Sequence, residues 1–150
     1  MKMKFCRVLL SVLVLACFQN MGFAQLRKVV TAETVLNVYM VEPLKKVNVE
    51  GDDYYIFYLK SSEKYHDPIG LWLGTYEEMI SNLKDFAVAL GEGKKGEIFE
   101  YYSHGINYRI AFHRMLGERC LKVYEEYGSV YGYLNRWKID VILKHFGENN

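Results

Sequence analysis

The chain has 150 residues, of which 51% are hydrophobic, 15% aromatic and 25% charged, with two prolines and a formal net charge of +1. Such proportions belong to one compact globular unit and exclude a low-complexity, collagenous or coiled-coil protein. A nearly neutral chain is also a poor partner for nucleic acid.

Lys2, Lys4 and Arg7 precede an apolar run from Val8 to Phe18, after which Gln19 and Asn20 lead to Gly22, Phe23 and Ala24. That order resembles a bacterial secretory signal peptide, with Gly22 and Ala24 as the small residues of a cleavage site. The run is about 11 residues, short of the roughly 20 that span a bilayer. Residues 1–24 are therefore expected to be removed, leaving 25–150 as one domain that starts at Gln25 and is periplasmic or secreted. That portion carries 16 basic and 18 acidic side chains, a net charge of −2. Val14, Leu15, Ala16 and Cys17 also resemble a lipobox, and on that alternative route Cys17 carries a lipid anchor. No later segment reads as transmembrane.

Cys6 and Cys17 lie in the leader, so Cys120 is the only cysteine of the remainder and no internal disulfide can form. A domain of this size holds together through its core. Cys120 falls in an alternating run and reads as a small buried strand residue; the competing reading is a thiol nucleophile with His104 or His113 as base.

In chain order, Thr34 to Val41 reads as a strand ended by Pro43, and Val47 and Val49 alternate before the turn signal Gly51-Asp52-Asp53. Tyr54 to Leu59 is a dense aromatic and β-branched strand. Asp67-Pro68 marks a turn, and Ile69, Leu71 and Leu73 alternate with Gly70, Trp72 and Gly74. Thr75-Tyr76-Glu77-Glu78 is a capping box, so a helix starts at Tyr76. Met79, Ile80, Leu83, Phe86, Ala87 and Leu90 form one apolar stripe at the helical period, and Gly91 is expected to stop the helix.

Glu92 to Gly96 is a polar loop. Ile98 to Ser103, Asn107 to Met115, Arg119 to Glu126 and Ser129 to Leu134 then read as a meander, with turns at His104-Gly105, Leu116-Gly117-Glu118 and Tyr127-Gly128. Asn135 caps a last helix whose Ile139, Ile142, Leu143 and Phe146 share a face widened by Trp137 and Val141, and Gly147 ends it. No segment repeats another at a fixed period. The expected architecture is a single α+β domain: a largely antiparallel sheet of six or seven strands with two amphipathic helices on one face.

Signals for chemistry are sparse. His66, His104, His113 and His145 show no HExxH or CxxC spacing, so neither a metal nor a cofactor is expected. No GxSxG or SxxK occurs. The pairs Asp52-Asp53, Glu77-Glu78 and Glu125-Glu126 are sequence neighbours rather than carboxylates facing each other across a cleft. Gly91 to Gly96 follows a helix instead of opening one and misses the phosphate-loop spacing.

Tyrosine is the unusual feature, with 13 residues that include Tyr54-Tyr55, Tyr101-Tyr102 and the group Tyr124, Tyr127, Tyr131 and Tyr133. Adjacent strand residues point to opposite faces, so one of each pair lines the core and the other faces outward. Tyr131 and Tyr133 share a face, and an aromatic stripe flanked by Arg109, Arg119 or Arg136 suits a sugar ring or a protein surface. The sequence thus points to an exported, non-enzymatic module that binds a protein or a cell-envelope glycan through Tyr131, Tyr133, Trp72 and Arg119. The alternative is a small periplasmic hydrolase, metal-assisted or histidine-dependent, drawing on His66, Asp67, His104 or His113.

Overall fold

In the computed structural model, residues 31–39 and 41–148 are described. The leader, the lipobox and both cysteines within them lie outside those residues. Among the described residues, eight strands and two helices follow in the order β1 (Glu33–Tyr39), β2 (Glu42–Val49), β3 (Asp52–Leu59), β4 (Ile69–Gly74), α1 (Tyr76–Glu92), β5 (Ile98–Ser103), β6 (Ile106–Met115), β7 (Glu118–Glu125), β8 (Tyr131–Asn135) and α2 (Arg136–His145).

The strands make two four-stranded antiparallel meanders, β1-β2-β3-β4 and β5-β6-β7-β8, each followed by a helix. The chain is thus an α+β protein whose order of elements repeats although its residues do not. This corrects the expectation of one sheet of six or seven strands with both helices on a single face. α1 packs on β3 and β4 of the first sheet and on β7 of the second, while α2 rests on β1 and β8 and on α1. Leu44, Phe57, Leu71 and Leu73 from the first sheet and Tyr108, Ile110, Leu121 and Leu134 from the second join the helical stripe in one core. Two half-sized sheets each have one apolar face, and both are buried against the same pair of helices.

Local chemistry explains most element ends. Three hairpins close with two-residue turns, Glu50-Gly51, His104-Gly105 and Leu116-Gly117, in which both residues have positive φ. That geometry matches the right-handed twist of the flanking strands. The first of these lies one residue earlier than the Gly51-Asp52-Asp53 signal suggests, because glycine takes the second turn position. Glu78 accepts from the Thr75 N–H at 2.8 Å, the carboxylate half of the capping box. All six residues of the predicted stripe on α1 are buried.

Three boundaries differ from the sequence reading. Pro43 lies inside β2 but beyond the pair of Leu44 with Phe57, the last residue pair with β3, which is the side its main chain faces, so the ladder loses no donor there. Gly91 stays helical, and Gly93 ends α1 by donating its N–H to the Ala89 carbonyl at 2.8 Å. Trp137 is half exposed and meets the Tyr39 ring edge-on instead of widening the buried face of α2. At the end of α2, Glu148 N–H donates to Leu143 O and Gly147 N–H to Lys144 O, a Schellman closure.

The seam between the sheets is polar. Ser61 and Gly132 form an isolated bridge, and Ser62 N–H donates to the Tyr131 carbonyl at 2.8 Å. On the other side, Tyr108 donates its hydroxyl to Gly70 O at 2.7 Å and accepts from Trp72 N–H at 3.2 Å. Tyr101 donates to Trp72 O at 2.7 Å. Three main-chain groups on the free edge of β4, the Gly70 carbonyl and both groups of Trp72, are therefore satisfied by side chains of the second sheet, which stitches the halves and blunts that edge.

Candidate functional site

Strand parity sorts the second sheet. Tyr108, Ile110, Phe112, Leu121, Val123 and Leu134 face the core, so Arg109, Lys122, Tyr124, Tyr131 and Tyr133 stand on the opposite face. Register brings them together: Tyr124 is paired with Tyr131 and Lys122 with Tyr133 across β7 and β8, and Arg109 with Tyr124 across β6 and β7. Neither helix among the described residues packs on that side, since both share the core face.

The rings form a continuous strip. Tyr124 and Tyr131 have centroids 5.2 Å apart, Tyr131 and Tyr133 are also 5.2 Å apart and edge-on, and His113 stacks at 6.2 Å on Tyr133. Two cations lie over it, Arg109 at 4.3 Å from the Tyr124 centroid and Lys122 at 4.4 Å from that of Tyr131. Such contacts hold the long cationic stems flat along the sheet.

The two hydroxyls at the end of the strip are unequal. Tyr133 donates a long hydrogen bond, 3.4 Å, to the Tyr131 oxygen. That bond holds the proton on Tyr133, whose phenol is pushed up to about 12. It stabilises the ionised form of Tyr131, which is lowered below the ordinary tyrosine value with help from Lys122. The Tyr133 proton is therefore committed within the strip, to the Tyr131 oxygen.

The other residues singled out in the sequence fall elsewhere. Trp72 sits on the outer face of the first sheet, where His104 stacks on it at 4.7 Å and also meets Tyr54 at 4.5 Å. Arg119 points to the core side of β7 and donates to the carbonyls of Gly91 and Gly93, so it terminates α1 and is not beside the tyrosines. Sequence parity already separates Arg119 from Lys122 by an odd step. Lys122, which sequence reasoning passed over, is the cation that strip parity selects.

The histidines are dispersed. His66 is exposed before Pro68 with Nδ1 near the Asp67 carbonyl, His104 is on the β5–β6 turn and His113 is on the tyrosine face. Among the described residues, no three histidine, cysteine, aspartate or glutamate side chains converge as a metal site. Cys120 is buried and directs its thiol to the His113 carbonyl at 3.6 Å; burial pushes its pKa up, which disfavours the thiolate. No helix among the described residues is long and apolar enough to cross a membrane.

Comparison of the chain with protein-family models, with curated proteins and with solved structures yields no match.

Proposed function

We propose that the chain is an exported, non-enzymatic binding module that engages a macromolecule of the cell envelope through the outer face of its second sheet. The observation that supports this reading is the strip of Tyr124, Tyr131 and Tyr133 overlaid by Lys122 and Arg109 on a face that neither described helix covers. Flat rings with polar tips supply contact area at low entropic cost, and two cations add attraction for anionic groups. A glycan carrying carboxylate or phosphate groups fits that combination better than an uncharged one. Export rests on the leader-like residues 1–24, with a lipid anchor at Cys17 as the other route. Trp72 contributes from the first sheet only to a ligand large enough to reach both outer faces.

The test pairs binding with stability. Tyr131→Ala combined with Tyr133→Ala is expected to weaken retention on isolated envelope glycan by about tenfold or more; because both rings are partly buried, melting of the same variant is measured to show that the fold persists at the binding temperature. Unchanged retention overturns the assignment of the face. Mislocalisation is checked separately by fractionating cells that express the full chain.

A further inference from the structure

Sheet edges are where chains recruit other chains, and the two inner edges here are treated differently. That of β4 is capped by the Tyr101 and Tyr108 hydroxyls. β5 pairs with β6 alone. Phe112 N–H donates to the Glu97 carbonyl, and Phe99, Tyr101 and Ser103 face Ile110, Tyr108 and Ile106, so odd-numbered main-chain groups turn toward β6. The N–H and C=O groups of Ile98, Glu100 and Tyr102 therefore turn to the free edge. None of them is bonded by a described residue, and Ile98 and Tyr102 are 59% and 72% exposed.

Below this edge α1 touches β5 where the Phe86 and Tyr101 rings meet edge-on at 5.2 Å and Asn82 donates to the Tyr101 hydroxyl. A slot of about 220 Å³ opens there, with Phe86 and Ala89 on one wall and Phe99 and Tyr101 on the other. Since an apolar cavity of about 150 Å³ can hold a benzene ring, the slot admits one large side chain. It continues into a wider trough beside Val88 at the end of α1. Asp85, Glu92, Glu97 and Glu100 ring the two, against Lys94 as the sole cation among the described lining residues. The rim is acidic where the floor is apolar.

We infer that the free edge of β5 takes an extended peptide strand by β-pairing, seating an apolar side chain in the slot between α1 and β5 and placing lysine or arginine against the surrounding carboxylates. Pairing supplies main-chain hydrogen bonds without sequence preference, whereas the slot and the carboxylates select alternating apolar and basic residues. This site is separate from the tyrosine strip and does not depend on it.

The test titrates the isotope-labelled full chain with two short synthetic peptides, one alternating lysine and valine, the other glutamate and valine, and follows backbone amide signals. The lysine peptide is expected to bind about tenfold tighter at low salt. It should move the signals of Ile98, Glu100, Tyr102 and Ala89 and slow amide exchange at the first three. Asp85→Lys combined with Glu100→Lys should invert the order of the two peptides. Glu100→Pro should abolish binding, because it deletes an outward donor without breaking the β5–β6 ladder; if that variant fails to fold, the charge-reversal pair still decides. The inference is overturned if neither peptide moves these signals, if both bind equally, if the shifts fall on Tyr131 and Tyr133 instead, or if the chain alone already protects the three amides by self-association.

Discussion

Gly132 shows how one missing side chain can join two sheets. A Cβ built there would stand 2.4 Å from the Cβ of Leu59, at the point where Ser61 bridges β8. Neither atom belongs to a flexible side-chain end, so the backbones must separate to admit it. Gly132→Ala should cost about 1–3 kcal/mol, read as a lower denaturant midpoint. Gly91, in contrast, faces open space inside α1, which leaves it without the steric reason that holds Gly132. Tyr108 is the second decisive position, because its hydroxyl serves two main-chain groups of β4. Tyr108→Phe keeps the ring and orphans both groups, so a loss of about 1–3 kcal/mol is expected in the same measurement. The place of Tyr108 on the core face could be read from its parity with Ile110 and Phe112, but the carbonyl it serves, 38 positions away in sequence, could not.

Elements carry their own instructions to different degrees. α1 was the most legible, since its capping box and six-residue stripe specify start and buried face from residues within a few turns of one another. Its end was less so: Gly91 looks like a stop, yet the helix runs on to Glu92 and closes where Arg119, from the second sheet, donates to the carbonyls of Gly91 and Gly93. Replacing this helical glycine by Gly91→Ala should raise stability by roughly 0.5–1 kcal/mol, seen as a higher melting temperature. The strands were legible in position because alternation is a local property, and Tyr54-Tyr55 and Tyr101-Tyr102 divide between faces as alternation requires. Membership in one sheet or two is not local, and the meanders alone do not announce where pairing stops. The candidate face followed from the same alternation: Tyr131 and Tyr133 share it, and Lys122 joins through register, while Arg119 leaves it.

For the molecule as a whole, one buried ion pair ties the two halves together. Glu42 on β2 is 2% exposed, and its Oε1 accepts from Lys138 of α2 at 2.7 Å and from Lys60 N–H at 2.9 Å. Lys138 also donates to the Tyr133 carbonyl at 2.7 Å, so the first sheet, the second sheet and the last helix meet at one ammonium. Lys138→Met alone should cost about 3–5 kcal/mol because it strands a buried carboxylate, and adding Glu42→Leu should recover most of that loss. A double-mutant cycle on unfolding free energy checks it. The alkaline limit is also a property of the assembled halves. Burial holds the phenols of Tyr101 and Tyr108 protonated above the ordinary tyrosine value of 10.0. The unfolded chain releases those protons first, so stability is full below about pH 10 and falls as pH rises beyond it, which melting curves between about pH 9 and 11 should record.

Periods of two and 3.6 residues, caps and glycine turns are written within short stretches of chain, so the α+β class, the places of both helices and most strands, and the shared face of Tyr131 and Tyr133 follow from the amino-acid order. The division into two sheets, the hydroxyl seam along β4, the open edge of β5 and the partnership of Glu42 with Lys138 depend on residues far apart in sequence. Such contacts are chosen by which apolar faces can be buried together and which buried polar groups then find partners, a choice that no local pattern encodes.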